Sequence, residues 1–133
     1  MWKGLFHLIY IRAKAGAPGS DSALAHAWSE DLRNWRVDKH AFAPRHDGGW
    51  DDKKVWAPSI VQVGNLYYMF YTGVDATNDQ RIGYATTSLL DTTNTVWQRQ
   101  SNWVYAANNT GWADSIGSIQ LGQQQFRDPW VMP

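Results

Sequence analysis

The sequence contains no cysteine, which excludes disulfide frameworks and thiolate metal sites. No apolar run approaches the roughly 20 residues of a spanning helix, and the short apolar start, Met1 to Tyr10, has no small-residue cleavage site. A soluble chain with neither signal peptide nor transmembrane segment is expected. Net charge is missing too: Lys plus Arg and Asp plus Glu number 12 each, so no long-range field draws nucleic acid or an anionic membrane. The four histidines, at 7, 26, 40 and 46, have no metal-ligand spacing, and no metal or other cofactor is expected. Helical periodicity is lacking as well. Its one candidate, Leu24 to Leu32, breaks the 3.6-residue spacing.

What the sequence has in quantity is aromatic surface: nine Trp, six Tyr and four Phe among 133 residues, enough for one domain's core and more. Flat rings stack against the nonpolar faces of ligands such as sugars, although at least half of these are expected to fill a strand-rich core. Two apolar runs, Val55 to Val63 and Leu66 to Gly73, flank Gly64-Asn65, a pair suited to a tight turn, and read as an antiparallel hairpin. Similar phrases recur. Phe6-His7-Leu8-Ile9-Tyr10 parallels Tyr67 to Tyr71, and Arg127 to Met132 parallels Trp56 to Val61, a period of roughly 60 to 70 residues that holds four short strands.

In order, Gly4 to Arg12 reads as a strand, Ala13 to Ser22 as a loop and Ala23 to Ser29 as a second strand. A turn at Ser29 to Trp35 follows, with Ser29 and Asp31 placed to bond nearby amides. Trp35 to Lys39 alternates large and charged side chains, as an outer strand with one wet face would. Ala43 to Lys54 is a crossing loop, where Asp51 and Asp52, like Asp75 later, read as solvated charges. After the hairpin, Arg81 to Ser88 matches the second strand of the first unit, with Tyr84 where His26 stood, so both are expected to pack between sheets. Leu89 to Thr95 is a turn and Val96 to Arg99 a short outer strand. Ser101 to Gln125 reads as a loop with a short strand at Ser118 to Leu121, and Trp130 to Met132 as the start of another strand.

The expectation is an all-β chain: a β-propeller fragment of about two four-stranded antiparallel blades. Residues 1–43 would form a first blade without its innermost strand, 55–100 a second blade, and 126–133 the start of a third.

Trp56-Ala57-Pro58-Ser59-Ile60, then Tyr67 to Gly73 and Ile82 to Thr86, resemble the second blade of glycoside hydrolase family 43. His26-Ala27-Trp28-Ser29-Glu30-Asp31-Leu32-Arg33-Asn34-Trp35 resembles the end of the first blade of the related family 32, and Phe126-Arg127-Asp128-Pro129 the start of the third in both. The resemblance implies a five-bladed propeller that cleaves glycosidic bonds, with carbohydrate as its ligand. Such cleavage needs one carboxyl group to protonate the leaving oxygen and another as nucleophile or base, and a third acid can hold their pKa values apart or bind hydroxyls. Asp128 matches the third acid; a turn residue bonded to local amides is the other reading. Arg127 suits pairing with a carboxylate. The resemblance also puts Trp56 at the sugar, stacking on a ring, with core filler the alternative.

The nucleophile and general-acid positions of that pattern have no counterpart here, Glu30 being the only glutamate and sitting in a turn. Catalysis by this chain alone is therefore not expected. Two accounts of its strand count remain: a piece of a longer hydrolase, or a unit whose residues 126–133 complete the first sheet of a second copy, head to tail. A sugar-binding, lectin-like assembly or a structural piece without ligand are the alternatives in function.

Overall fold

The computed structural model describes residues 4–13, 22–90, 95–106 and 126–132. Among them every regular element is a strand: β1 (Phe6–Arg12), β2 (Ala23–Ser29), β3 (Arg36–Phe42), β4 (Lys54–Val63), β5 (Leu66–Val74), β6 (Gln80–Thr87), β7 (Gln98–Arg99) and β8 (Tyr105–Ala106). They form two antiparallel sheets. The first has the order β1-β2-β3; in the second, β4-β5-β6 is closed on its outer side by β7 and β8, two short pieces that both pair with β6. The expected outer strand at Val96 to Arg99 is thus confined to Gln98–Arg99 and resumes at Tyr105–Ala106. The strand expected at Ser118 to Leu121 lies outside the described residues.

The β4–β5 hairpin forms as its pattern requires. Val63 pairs with Leu66, leaving Gly64-Asn65 as a two-residue loop. Of the two, Gly64 alone has a positive φ, at 58°, the pattern of a II′ turn, which matches strand twist and favours Gly at its first central position.

Successive side chains point to opposite faces of a strand, so β5 divides its residues between two neighbours. Met69 and Tyr71 face the first sheet and join Leu24, Trp50, Val55 and Ala85 in one buried cluster, with Ile9, Phe42 and Ile60 packed against it. Tyr71 meets Phe42 edge-on at 4.8 Å and stacks on Trp50 at 5.2 Å. Trp50 lies flat on Gly73 and Gly83; a Cβ on either would fall 2.2 Å and 2.4 Å from its ring. Glycine in these strands marks the close approach of that indole.

Asp51, expected to be solvated, is fully buried. Its carboxylate lies 2.9 Å from Arg45 Nε and 2.7 Å from Arg99 Nη1, and it accepts the Tyr71 hydroxyl at 2.8 Å. Burial pushes the Tyr71 hydroxyl well above its ordinary pKa, and the Asp51 charge adds to the shift. Arg99 also crosses the Phe42 ring at 3.6 Å and donates to Ala43 O, so one acid ties the crossing loop to both sheets. Asp75 is likewise engaged, pairing with Arg81 at 2.6 Å and accepting the amides of Thr77 and Asp79. Asp52 is half-buried and accepts the Gly48 amide at 2.7 Å.

The outer strand of the first sheet also reverses its expected faces: Val37 is exposed and Asp38 buried. Between the pairs Ala27↔Val37 and Ala25↔Ala41, β2 has only His26 where β3 has Asp38, Lys39 and His40. This bulge brings Asp38 inward, 3.4 Å from His26 Nδ1, and His7 Nδ1 lies 2.8 Å from His26 Nε2 with the two rings stacked. One polar line therefore crosses β3, β2 and β1.

Desolvation lowers the pKa of His26 below 6.5, with Asp38 opposing the shift. The unfolded chain binds that proton more readily, so this contribution to stability is complete above about pH 6.5 and is lost as pH falls through the lowered folded value. Urea midpoints measured downward from pH 7.5 are expected to begin falling near pH 6.5. In His26→Gln that first decline should be absent; an unchanged pH profile would rule out His26 as its source.

Candidate functional site

The other face of β5 meets the segment 126–132, which has no ladder partner among the described residues. Its first residue, Phe126, stacks on Tyr105 of β8 at 5.7 Å. Asp128 N–H donates to Thr72 Oγ1 of β5 at 3.1 Å, and Val131 N–H to Ser59 Oγ of β4 at 3.3 Å. The segment therefore crosses the second sheet from its outer edge to its first strand. The strand expected at Trp130 to Met132 is not formed: a ladder needs a second strand, and residues 126–132 touch the sheet through side-chain hydroxyls instead.

Thr72 joins two of the residues expected at the site. Its cross-strand partner is Trp56, so both side chains stand on the face that the segment crosses. A bulge in β4 follows at once, with Ala57 and Pro58 opposite only Tyr71 and Ala57 at φ 46°. Pro58 has no N–H to give to the ladder, which is why the strand irregularity falls there. Trp56 is half-buried; its indole N–H donates to Ser22 Oγ, and Lys54 Nζ stands 5.1 Å from the ring centroid. The indole is thus tethered to Ser22, just before β2, rather than sealed in the core, with a cation at one face.

Asp128 has φ 62°, a left-handed conformation that Asp tolerates better than most residues, although the following Pro129 biases it toward extended backbone. Its side chain is 70% exposed, and Arg127 Nε is 3.6 Å from Oδ2. Among the described residues its partners are Arg127 and Thr72 alone, so it stands as a single carboxylate, not one of a hydrogen-bonded pair. Arg127 is exposed and pairs within the segment. No group of three or more His, Asp or Glu among the described residues is arranged to hold a metal ion.

The Ser29 to Trp35 turn is built as its residues predict. Ser29 Oγ accepts the amides of Asp31 and Leu32, and Asp31 accepts those of Arg33 and Asn34, at 2.8–3.2 Å. These donors, Asn34 first, hold the Asp31 carboxyl well below the usual range. A cleft of about 300 Å³ lies beside the turn, lined by Trp28, Glu30, Asp31, Asn34 and Arg36, with Arg36 over the Trp28 ring at 4.9 Å. Of the two residues matched by register, His26 is buried, whereas Tyr84 is half-buried beside Tyr68 and Phe70 at 5.7 Å and 5.5 Å. Sequence reasoning missed Ser22, Lys54 and Thr72. Only the alternation of Thr72 with Tyr71 signalled that it would face away from the core.

Two small antiparallel sheets packed face on face, with residues 126–132 crossing the second toward its first strand, define the chain as consecutive blades of a β-propeller. Solved glycosidases share this architecture. One is a glycosyl hydrolase from Bacteroides ovatus with TM-score 0.57 and 24% identity, covering 74% of this chain and 28% of that one. Another is a GH43 beta-xylosidase/alpha-arabinofuranosidase from a compost microbial metagenome, with TM-score 0.61 and 16% identity over 79% of this chain and 34% of that one. The sequence matches the model described as glycosyl hydrolases family 32 N-terminal domain over residues 1–133, and the chain belongs to that family. Similar relatives are the insoluble isoenzymes CWINV4 and CWINV1 of beta-fructofuranosidase from Arabidopsis thaliana, 35% identical over 85 residues and 33% over 81. These alignments cover 63% and 60% of this chain, and the chain spans 14% of each relative's length. Among the described residues no helix is long and apolar enough to cross a membrane.

Proposed function

We propose that this chain supplies one wall of a carbohydrate site in a propeller that hydrolyses glycosidic bonds, and that by itself it does not catalyse. The carrying observation is the meeting at Thr72: the Asp128 amide bonds its hydroxyl while the Trp56 indole is its cross-strand partner. An indole supplies stacking area for a sugar ring, and a solvent-facing carboxylate accepts hydrogen bonds from sugar hydroxyls. Hydrolysis needs a proton donor and a nucleophile or base, on two carboxyl groups about 5–9.5 Å apart. Asp128 in the role of third acid, with Arg127 orienting it, leaves both of those places to residues other than the ones named here. The names of the Arabidopsis relatives make a β-fructofuranoside the first substrate to test.

With nitrophenyl fructosides, xylosides and arabinosides the chain is expected to give no turnover above background, while weak sugar binding drops about tenfold in Trp56→Ala, equivalent to about 1.4 kcal/mol. Turnover that vanishes in Asp128→Asn would overturn the inactive reading and make the chain an enzyme. Absence of both turnover and binding would leave a structural piece. Binding without turnover is the lectin-like reading, favoured by an exposed Asp128 carboxylate that has no second carboxyl group hydrogen-bonded to it among the described residues. Completion of the first sheet by residues 126–132 of a second copy is supported by the outer edge of β1, which no strand covers among the described residues, and by Trp130 and Met132, 82% and 74% exposed. A monomeric mass by light scattering would exclude it.

A further inference from the structure

The outermost strand of the second sheet is interrupted, and the interruption is built. Gln100 N–H donates to Tyr84 O at 3.2 Å and Val104 N–H to Ile82 O at 2.8 Å, so Ser101, Asn102 and Trp103 arch outward between two fixed points on β6. Arg45 holds the near end from behind through Gln100 O. Under the arch lies a pocket of about 230 Å³ lined by Tyr84, Gln100, Ser101, Asn102, Trp103 and Val104.

Three features define what it takes. Tyr84 and Trp103 are both half-buried, Trp103 packing partly on the core and Tyr84 against Phe70, so the aromatic walls are held in place. The side chains of Gln100, Ser101 and Asn102 are exposed and have no hydrogen-bond partner among the described residues, leaving amide and hydroxyl donors and acceptors at the rim. None of the six lining residues is charged, so no ion is matched there. The cleft beside Ser29 to Trp35 is the contrast: Asp31 and Asn34 are consumed by the turn, and Arg36 covers Trp28.

We propose that this pocket binds a single neutral sugar residue, as a non-catalytic site separate from the face that Trp56 and Asp128 share. Its volume is below the 300–1,000 Å³ of ordinary small-molecule sites, which suits one sugar ring seated under the arch. Aromatic walls with neutral hydrogen-bonding groups at the rim match a ring with one nonpolar face and peripheral hydroxyls. The ligand's class rests on the carbohydrate reading above; the pocket does not.

The test is a titration of the labelled chain with fructose, glucose, xylose and arabinose, followed by NMR. Saturating shifts are expected at the Trp103 indole N–H and the Gln100 and Asn102 side-chain amides for at least one sugar, with Kd on the order of millimolar. Those shifts should persist in Trp56→Ala. They should weaken at least tenfold in the Gln100→Ala/Asn102→Ala double variant, and equally in Ser101→Trp, which fills the pocket from the arch. Shifts confined to the Trp56 indole, or an affinity unchanged in both pocket variants, would overturn the pocket while leaving the carbohydrate reading intact. No saturable shift at either indole would overturn both.

Discussion

Asp51→Ala is expected to cost about 3 kcal/mol, a large share of the roughly 5–15 kcal/mol that keeps a domain folded. The carboxylate has no solvent exposure and faces two guanidinium groups, Arg45 at 2.9 Å and Arg99 at 2.7 Å, along with the Tyr71 hydroxyl. Removing it leaves two cations without their counter-charge and a buried hydroxyl without its acceptor, and each cost is of the unmade-partner kind. Both arginines keep about a fifth of their side-chain surface in water, which holds the loss to the lower end of the range for a broken buried pair. Asp52→Ala is the control, one residue away. It loses a single amide contact to Gly48 and is expected to cost about 1 kcal/mol. Urea midpoints at constant m-value measure both, and equal losses in the two variants would refute the special role of Asp51.

Gly83→Ala is expected to destabilise by about 3 kcal/mol, at the upper end for overpacking a filled core, and Gly73→Ala by at least as much. The new methyl of Gly83→Ala would sit 2.4 Å from Trp50 Cη2 and 2.5 Å from Cζ2; that of Gly73→Ala would also meet Asp51 Cβ at 2.7 Å. The indole has no room to yield, being stacked on Tyr71 behind it. A double-mutant cycle isolates the cause. In a Trp50→Leu background, itself weakened, Gly83→Ala should cost less than about 1 kcal/mol, because the ring it would strike is gone. The same penalty in both backgrounds would mean that the glycine is needed for its backbone and not for the slot.

Much of the architecture is legible in the amino-acid sequence. The hairpin around Gly64-Asn65, the pairing of Gly4–Arg12 with Ala23–Ser29 and the Ser29–Trp35 turn depend on alternation and on local backbone chemistry, which operate over a few residues. The site was legible as a set of residue types but not as a place. Asp128 and Trp56 are 72 positions apart in the sequence, and what brings them to one face is Thr72, whose hydroxyl no spacing rule singles out. Misreadings fell where a bulge or a buried ion pair intervened: Asp38 turns inward because β3 has extra residues opposite His26, and Asp51 is buried because arginines from Arg45 and Arg99 arrive from either side of it in the chain.

By itself the sequence determined the six longer strands, β1 to β6, and their antiparallel order, and the likeness of its motifs to glycoside hydrolases pointed to the propeller family. The strands and their order follow from the period-two placement of apolar side chains and from turn residues, and both are local. Only the tertiary structure decided which charges are buried, which face of β5 receives residues 126–132, and where the broken outer strand leaves a pocket. Those depend on side chains meeting across distances that no local pattern encodes, with the low dielectric of the core rewarding only the acids that find a partner.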